Sequence, residues 1–120
     1  MQFNTIEVRR KGRLLTLALN RPDELNAVNL RLHEELADVF VWADGDSGSD
    51  VVVLTGNGKA FSAGGDFSHI QNLAANPDLF DEEIRLARRI VGSILDMQKP
   101  LVCRLNGHAV GLGATLALFC

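Results

Sequence analysis

The chain has 120 residues, with 15 acidic against 12 basic side chains and a formal net charge of −3. With 47% hydrophobic and 22% charged residues it is too apolar for a disordered segment, and its mild acidity excludes a protein that binds nucleic acid by tracking phosphates. No apolar stretch reaches the roughly 18–20 residues that span a bilayer, and Cys103 and Cys120 form neither a metal-site spacing nor a disulfide framework, so a soluble cytoplasmic protein without a resident metal is expected.

Thr5–Arg10 and Leu14–Leu19 are short apolar runs separated by Lys11-Gly12, the pattern of a β-hairpin. Leu15, Leu17 and Leu19 alternate with Thr16 and Ala18 at the period of a strand. Asn20-Arg21-Pro22-Asp23 ends the pairing, because proline has no N–H to donate. Asn29 is placed to cap a helix running to about Ala43, with Leu32, Leu36, Val39, Phe40 and Ala43 on one stripe. After a polar turn over Asp44–Asp50, Val51–Leu54 has the continuous apolar character of a strand buried on both faces.

Thr55–Asp66 contains Gly56, Gly58, Gly64 and Gly65, too dense for regular structure. A second helix is predicted from about Phe80 to Met97, with Phe80, Ile84, Ala87, Val91, Ile94 and Leu95 inward and Asp81, Glu82 and Glu83 in an acidic first turn. Lys99-Pro100 stops it. Leu101–Leu105 reads as another short buried strand, Asn106–Gly113 as a second glycine-rich loop, and Ala114 as the start of a helix. Strands that alternate with helices in this way make an α/β fold.

Both glycine loops follow a strand, so each lies at a strand's carboxyl end, where open α/β sheets collect ligands. Glycine there lets the backbone approach a ligand and leaves N–H groups free to meet a phosphate or a developing oxyanion. Gly111-Leu112-Gly113-Ala114-Thr115-Leu116 lacks the third small residue of a dinucleotide fingerprint, and Gly56-Asn57-Gly58-Lys59-Ala60-Phe61 fails at the same place. Phe61-Ser62-Ala63-Gly64 resembles a nucleophile elbow but has Ala60 where the first glycine belongs, so Ser62 is not expected to attack substrate.

Other chemistry-bearing residues read as ordinary. His33 is assigned to a solvated helix face, His69 and His108 to loops, Cys103 and Cys120 to the core, and Trp42 and Phe40 to packing. Arg9, Arg10, Lys11 and Arg13 read as a solvated turn, and Lys59 as a solvated residue of the first glycine loop.

Four segments together resemble the crotonase superfamily, that of enoyl-CoA hydratases and isomerases: Leu19–Val28, Val53–Phe67, Lys99-Pro100 and Asn106–Leu116. The resemblance implies a crotonase-like α/β fold, a ClpP/crotonase spiral of repeated strand-strand-helix units. It implies an acyl-CoA thioester as substrate, with coenzyme A arriving on the substrate rather than as a permanently bound cofactor. Two backbone N–H groups, matching Gly65 and Leu112, would stabilise the enolate oxygen. Gly64, Asp66, Phe67 and Gly111 match binding or loop-ordering positions beside them. Leu25, Ala27 and Ala63 match positions along the CoA, and Ser68-His69-Ile70 follow Phe67 at the acyl end. A homotrimer or a hexamer is implied as well.

One position departs from the hydratases of that family. The first of their two glutamates falls on Thr115, whose hydroxyl can orient water but cannot be its base near neutral pH. The resemblance therefore favours isomerase-type or other single-base enolate chemistry over two-glutamate hydration. The alternative is a non-catalytic acyl-CoA-binding or scaffold member of the same fold. The family core is about twice as long as this chain, so residues 1–120 are expected to be the N-terminal part of one such domain, with the second acid beyond Cys120.

Overall fold

The structure is a computed structural model that describes residues 1–120. Strands β1 (Ile6–Lys11) and β2 (Leu14–Leu19) form the expected hairpin, pairing Ile6 with Leu19 and Lys11 with Leu14. Gly12, at φ +57, makes its tight turn. Strand β3 (Val51–Gly56) lies parallel to β2, and β4 (Leu101–Cys103) parallel to β3, giving one sheet of order β1-β2-β3-β4.

Helix α1 (Leu30–Asp44) crosses from β2 to β3. Asn29 caps it, its Oδ1 accepting from the Leu32 N–H at 2.9 Å. All five residues of the predicted stripe, Leu32, Leu36, Val39, Phe40 and Ala43, are fully buried against Leu15, Leu17, Leu19, Val52 and Leu54 of the sheet. The far end of α1 is tied down by Lys99, whose Nζ donates to the carbonyls of Ala43 and Asp46.

The helices between β3 and β4 differ from expectation. Helix α2 (Phe67–Ala75) was not foreseen, because its apolar residues pack little: Phe67 is 74% exposed and Ile70 49%. Helix α3 (Pro77–Leu95) begins three residues before the predicted start, since Asn76 caps it and Pro77 occupies its first turn. Its inward face is also rotated. Ile90 and Ile94 are buried with Glu83, whereas Phe80, Ile84 and Leu95 face outward. Glu83 thus stands in the helix body, not in an acidic first turn.

Strand β4 is shorter than predicted and open on one face, with Val102 and Leu105 more than half exposed. Helix α4 (Leu112–Phe119) begins at Leu112, two residues early. Cys103 packs against the core, but Cys120 is exposed and its thiol donates to the Leu116 carbonyl at 3.2 Å. The arginines at the hairpin are paired rather than merely solvated. Arg10 contacts Asp46 at 2.7 and 3.1 Å and Arg13 contacts Asp50 at 2.6 and 2.7 Å, which holds both carboxyls below the usual carboxylate range.

Candidate active site

The first glycine loop is held open by backbone and asparagine contacts. Leu25 and Asn26 both have φ 53, a left-handed turn that Leu adopts only under strain. The turn persists because the fully buried Asn26 spans it. Its Oδ1 accepts from the Arg21 N–H at 2.8 Å, and its Nδ2 donates to the carbonyls of Asn57 and Ala60 at 2.9 and 3.0 Å. Asn106 grips the same loop from the β4 side, accepting from the Gly56 N–H and donating to the Gly58 and Ala60 carbonyls.

The 25–28 segment then pairs with the loop. The Ala63 N–H donates to the Leu25 carbonyl, Val28 N–H to Gly64, and Asp66 N–H to Val28, at 2.7–2.9 Å. The second glycine loop docks on the first through Phe61 and Ser62 N–H donating to the His108 carbonyl and Val110 N–H donating to Ser62. The loops approach so closely that a Cβ on Gly64 would lie 2.7 Å from the Val110 carbonyl oxygen, and one on Gly113 2.7 Å from that of Ser62. Ser62 itself is fully buried, its hydroxyl donating to the Asn26 carbonyl at 2.7 Å, so it braces the loop and is not available as a nucleophile.

The Asp66 N–H is used by this pairing and the Gly64 N–H by the Ser62 hydroxyl at 3.2 Å, but the Gly65 N–H between them is free: no protein acceptor receives it. The Leu112 N–H, in the first turn of α4, is free too, because an N-terminal helical N–H has no carbonyl one turn back. Gly65 and Leu112 border one cavity of about 210 Å3, whose apolar walls are Val28, Ile70, Leu73 and Ala87.

The other expected contact residues divide. Ala27, Asp66 and Phe67 line a neighbouring open groove of about 720 Å3, which meets the cavity at His69. Leu25, Ala63, Gly64, Gly111 and Thr115 line neither. Asp66 caps α2, its Oδ1 accepting from the Ser68 N–H at 3.1 Å, while Arg21 lies 3.5 Å from its other oxygen. The Thr115 hydroxyl donates back to the Gly111 carbonyl at 3.3 Å. Lys59 and His108 are exposed, away from the cavity.

Three residues set aside in the sequence lie on the cavity wall. His33 is 5% exposed and not on a solvated face, His69 is 9% exposed and on α2 rather than in a loop, and Glu83 is 8% exposed. His33 Nδ1 lies 2.5 Å from Glu83 Oε2, and His69 Nε2 lies 3.0 Å from Glu83 Oε1. Burial pushes the His33 imidazole below its ordinary range even though the Glu83 carboxylate pulls the other way. The sequence did carry a signal: His33, Leu36, Ala37 and Phe40 fall at i, i+3, i+4 and i+7, which places the histidine on the packed stripe.

Comparison with known proteins supplies the lineage of this arrangement. The family model described as enoyl-CoA hydratase/isomerase matches residues 9–120. The chain belongs to the enoyl-CoA hydratase/isomerase family. It is 36% identical to 1,2-epoxyphenylacetyl-CoA isomerase of Escherichia coli over 88% of this chain and 41% of the relative. It is 32% identical to crotonyl-CoA hydratase of Syntrophomonas wolfei over 100% of this chain and 46% of the relative. Against the crystal structure of an enoyl-CoA hydratase/isomerase from Mycobacterium paratuberculosis the TM-score is 0.94 at 42% identity, over 99% of this chain and 48% of that one. The chain thus has the crotonase fold of this enzyme family and spans about half the length of the relatives it matches.

Proposed function

We propose that the protein processes acyl-CoA thioesters, and that the Gly65 and Leu112 N–H groups receive the thioester carbonyl oxygen as it gains enolate charge. The observation that carries this reading is the pair of unbonded N–H groups bordering one small cavity with apolar walls. A main-chain donor needs no particular side chain, which is why leucine serves at 112. Two such donors, fixed before the reaction, stabilise the oxyanion without reorganising. In this reading the acyl group lies against Val28, Ile70, Leu73 and Ala87, and the CoA runs along Leu25, Ala27 and Ala63 with Phe67 at the acyl end. Gly64 and Gly111 allow the close approach of the two loops, and Asp66 orders the first of them.

Thr115 makes single-base chemistry, such as moving a double bond by removing and returning a proton, the favoured reaction over two-carboxylate hydration. Coenzyme A enters with the substrate. A cytoplasmic homotrimer or hexamer completes the proposal by family likeness. Thr115 also favours a second reading, a non-catalytic acyl-CoA-binding member of the fold. Assays of crotonyl-CoA hydration and 3-enoyl-CoA isomerisation separate the two, since either activity excludes a purely binding role.

The direct test is Gly65→Pro, which deletes one donor while the only side chain near a new Cβ is the flexible end of Ile70. Turnover should fall by roughly 10²–10³-fold with CoA-thioester binding partly retained. Unchanged turnover would contradict the assignment.

A further inference from the structure

Helices α1, α2 and α3 each bring one titratable side chain to the same point, a carboxylate between two imidazoles. Glu83 faces His33 at 2.5 Å and His69 at 3.0 Å, and the three side chains are only 7–10% exposed. Packing does not require this cluster: a buried charge is costly to desolvate, and apolar residues of similar volume usually hold such a position at least as well. The cluster lines the cavity bordered by the Gly65 and Leu112 N–H groups. His69 is also coupled to that wall through the chain, because Asp66, next to Gly65, caps the turn of α2 that carries it.

We propose that His69 is the base that removes the substrate's α-proton, with Glu83 and His33 as positioning residues; this rests on the acyl-CoA reading above. His69 meets Glu83 through Nε2, which leaves Nδ1 as the acting nitrogen and Nε2–H as the tautomer the carboxylate favours. The 3.0 Å contact is close but not aligned as a hydrogen bond, the usual state of such pairs before substrate binds. His33, whose burial favours the neutral ring, lies with Nδ1 2.5 Å from the other carboxylate oxygen; this contact too is close but not aligned as a hydrogen bond, and it limits where Glu83 can sit.

In the step itself, Nδ1 of His69 takes the proton from Cα. The C–H electron pair becomes the double bond between Cα and the carbonyl carbon. The carbonyl π pair moves to the oxygen held by Gly65 and Leu112, and the imidazolium is balanced by Glu83. Return of a proton from the imidazolium to Cα, or to Cγ of an unsaturated chain, restores the thioester. In D2O the imidazolium N–H exchanges with solvent before some of these returns, and deuterium is then delivered in place of the abstracted proton. No other reactant is consumed, and no carboxylate at position 115 is needed.

The test is incorporation of deuterium from D2O at Cα of butyryl-CoA, measured with the protein as its cell makes it, alongside the Kd for butyryl-CoA. His69→Ala should slow exchange by about 10²–10⁴-fold with the Kd retained, and added imidazole should restore part of it. Glu83→Gln, which keeps the shape, should slow exchange less. Should His69→Ala fail to fold, His69→Asn and Glu83→Gln carry the same comparison. Exchange at the unaltered rate in these variants, or no rescue by imidazole together with an unaffected Glu83→Gln, overturns the proposal. An unaltered protein that neither exchanges nor binds butyryl-CoA overturns the acyl-CoA reading itself.

Discussion

One wall of the small cavity is made of backbone and the other of side chains, and the two are held by different forces. Gly65 and Leu112 present N–H groups fixed by a lattice of main-chain bonds, by Asn26 and Asn106, and by glycines that let the loops touch. His33, His69 and Glu83 present ionisable groups fixed by helix packing and by one another. The backbone wall tolerates changes of side chain but not of volume at its glycines. The side-chain wall admits apolar residues of similar volume, but in the proposed step it loses its base with His69 and part of its rate with Glu83 or His33.

That contrast can be broken first at the glycines. A Cβ on Gly107 would stand 2.1 Å from the Lys59 carbonyl oxygen, which is backbone and cannot swing away. Gly107→Val should therefore destabilise by about 3 kcal/mol or more in urea unfolding, with loss of both binding and turnover. The helical wall should behave in the opposite way. Replacing His33, His69 and Glu83 together by leucine or methionine should leave stability unchanged or raise it by about 1–4 kcal/mol while abolishing α-proton exchange. A comparable loss of stability in both variants would mean that the two walls do not differ as described.

Asn26→Ala probes the backbone wall without adding volume. It strips a buried amide from the Arg21 N–H and from the Asn57 and Ala60 carbonyls, and should cost about 1–3 kcal/mol in urea. Acid probes the other wall. The His33 pKa is lowered on folding, chiefly by burial, so the fold favours the neutral ring. Its contribution is present above the unfolded value of about 6.5 and is lost as pH falls through the folded value. Glu35, though burial opposes its charge, is held below its ordinary range by Thr5, Asn4 and Arg31. It adds a loss of the same sign at lower pH. Unfolding midpoints should therefore fall with pH below about 6.5, and His33→Gln should flatten the upper part of that slope. The smallest effect belongs to Thr115→Ala, within about 0.5 kcal/mol in stability, because only the bond to the Gly111 carbonyl is lost.

The hairpin, α1 and the two glycine loops were legible in the sequence because their signals are local: a turn glycine, a capping asparagine, a stripe of leucines, and runs of glycine after apolar strands. The backbone wall was legible in part for the same reason: the glycine runs mark exposed main chain, while the family resemblance, not the spacing, singled out Gly65 and Leu112. Helix α2 was hidden because its apolar residues face outward, leaving no buried stripe to read. The rotation of α3 was hidden because it carries two apolar rows, and only contact with α1 decides that Ile90 and Ile94 pack while Ile84 and Leu95 do not. The side-chain wall required three helices at once. A histidine read alone is a surface residue, and Glu83 read alone is one acid among three, until tertiary contact buries them together.

The account turns on whether the backbone wall binds the reacting oxygen. A crystal structure of the protein, as its cell makes it, with bound acetoacetyl-CoA tests this most directly. The account predicts the thioester oxygen at about 2.7–3.1 Å from both Gly65 N and Leu112 N. A thioester oxygen bound elsewhere, with those two N–H groups still free, would contradict it.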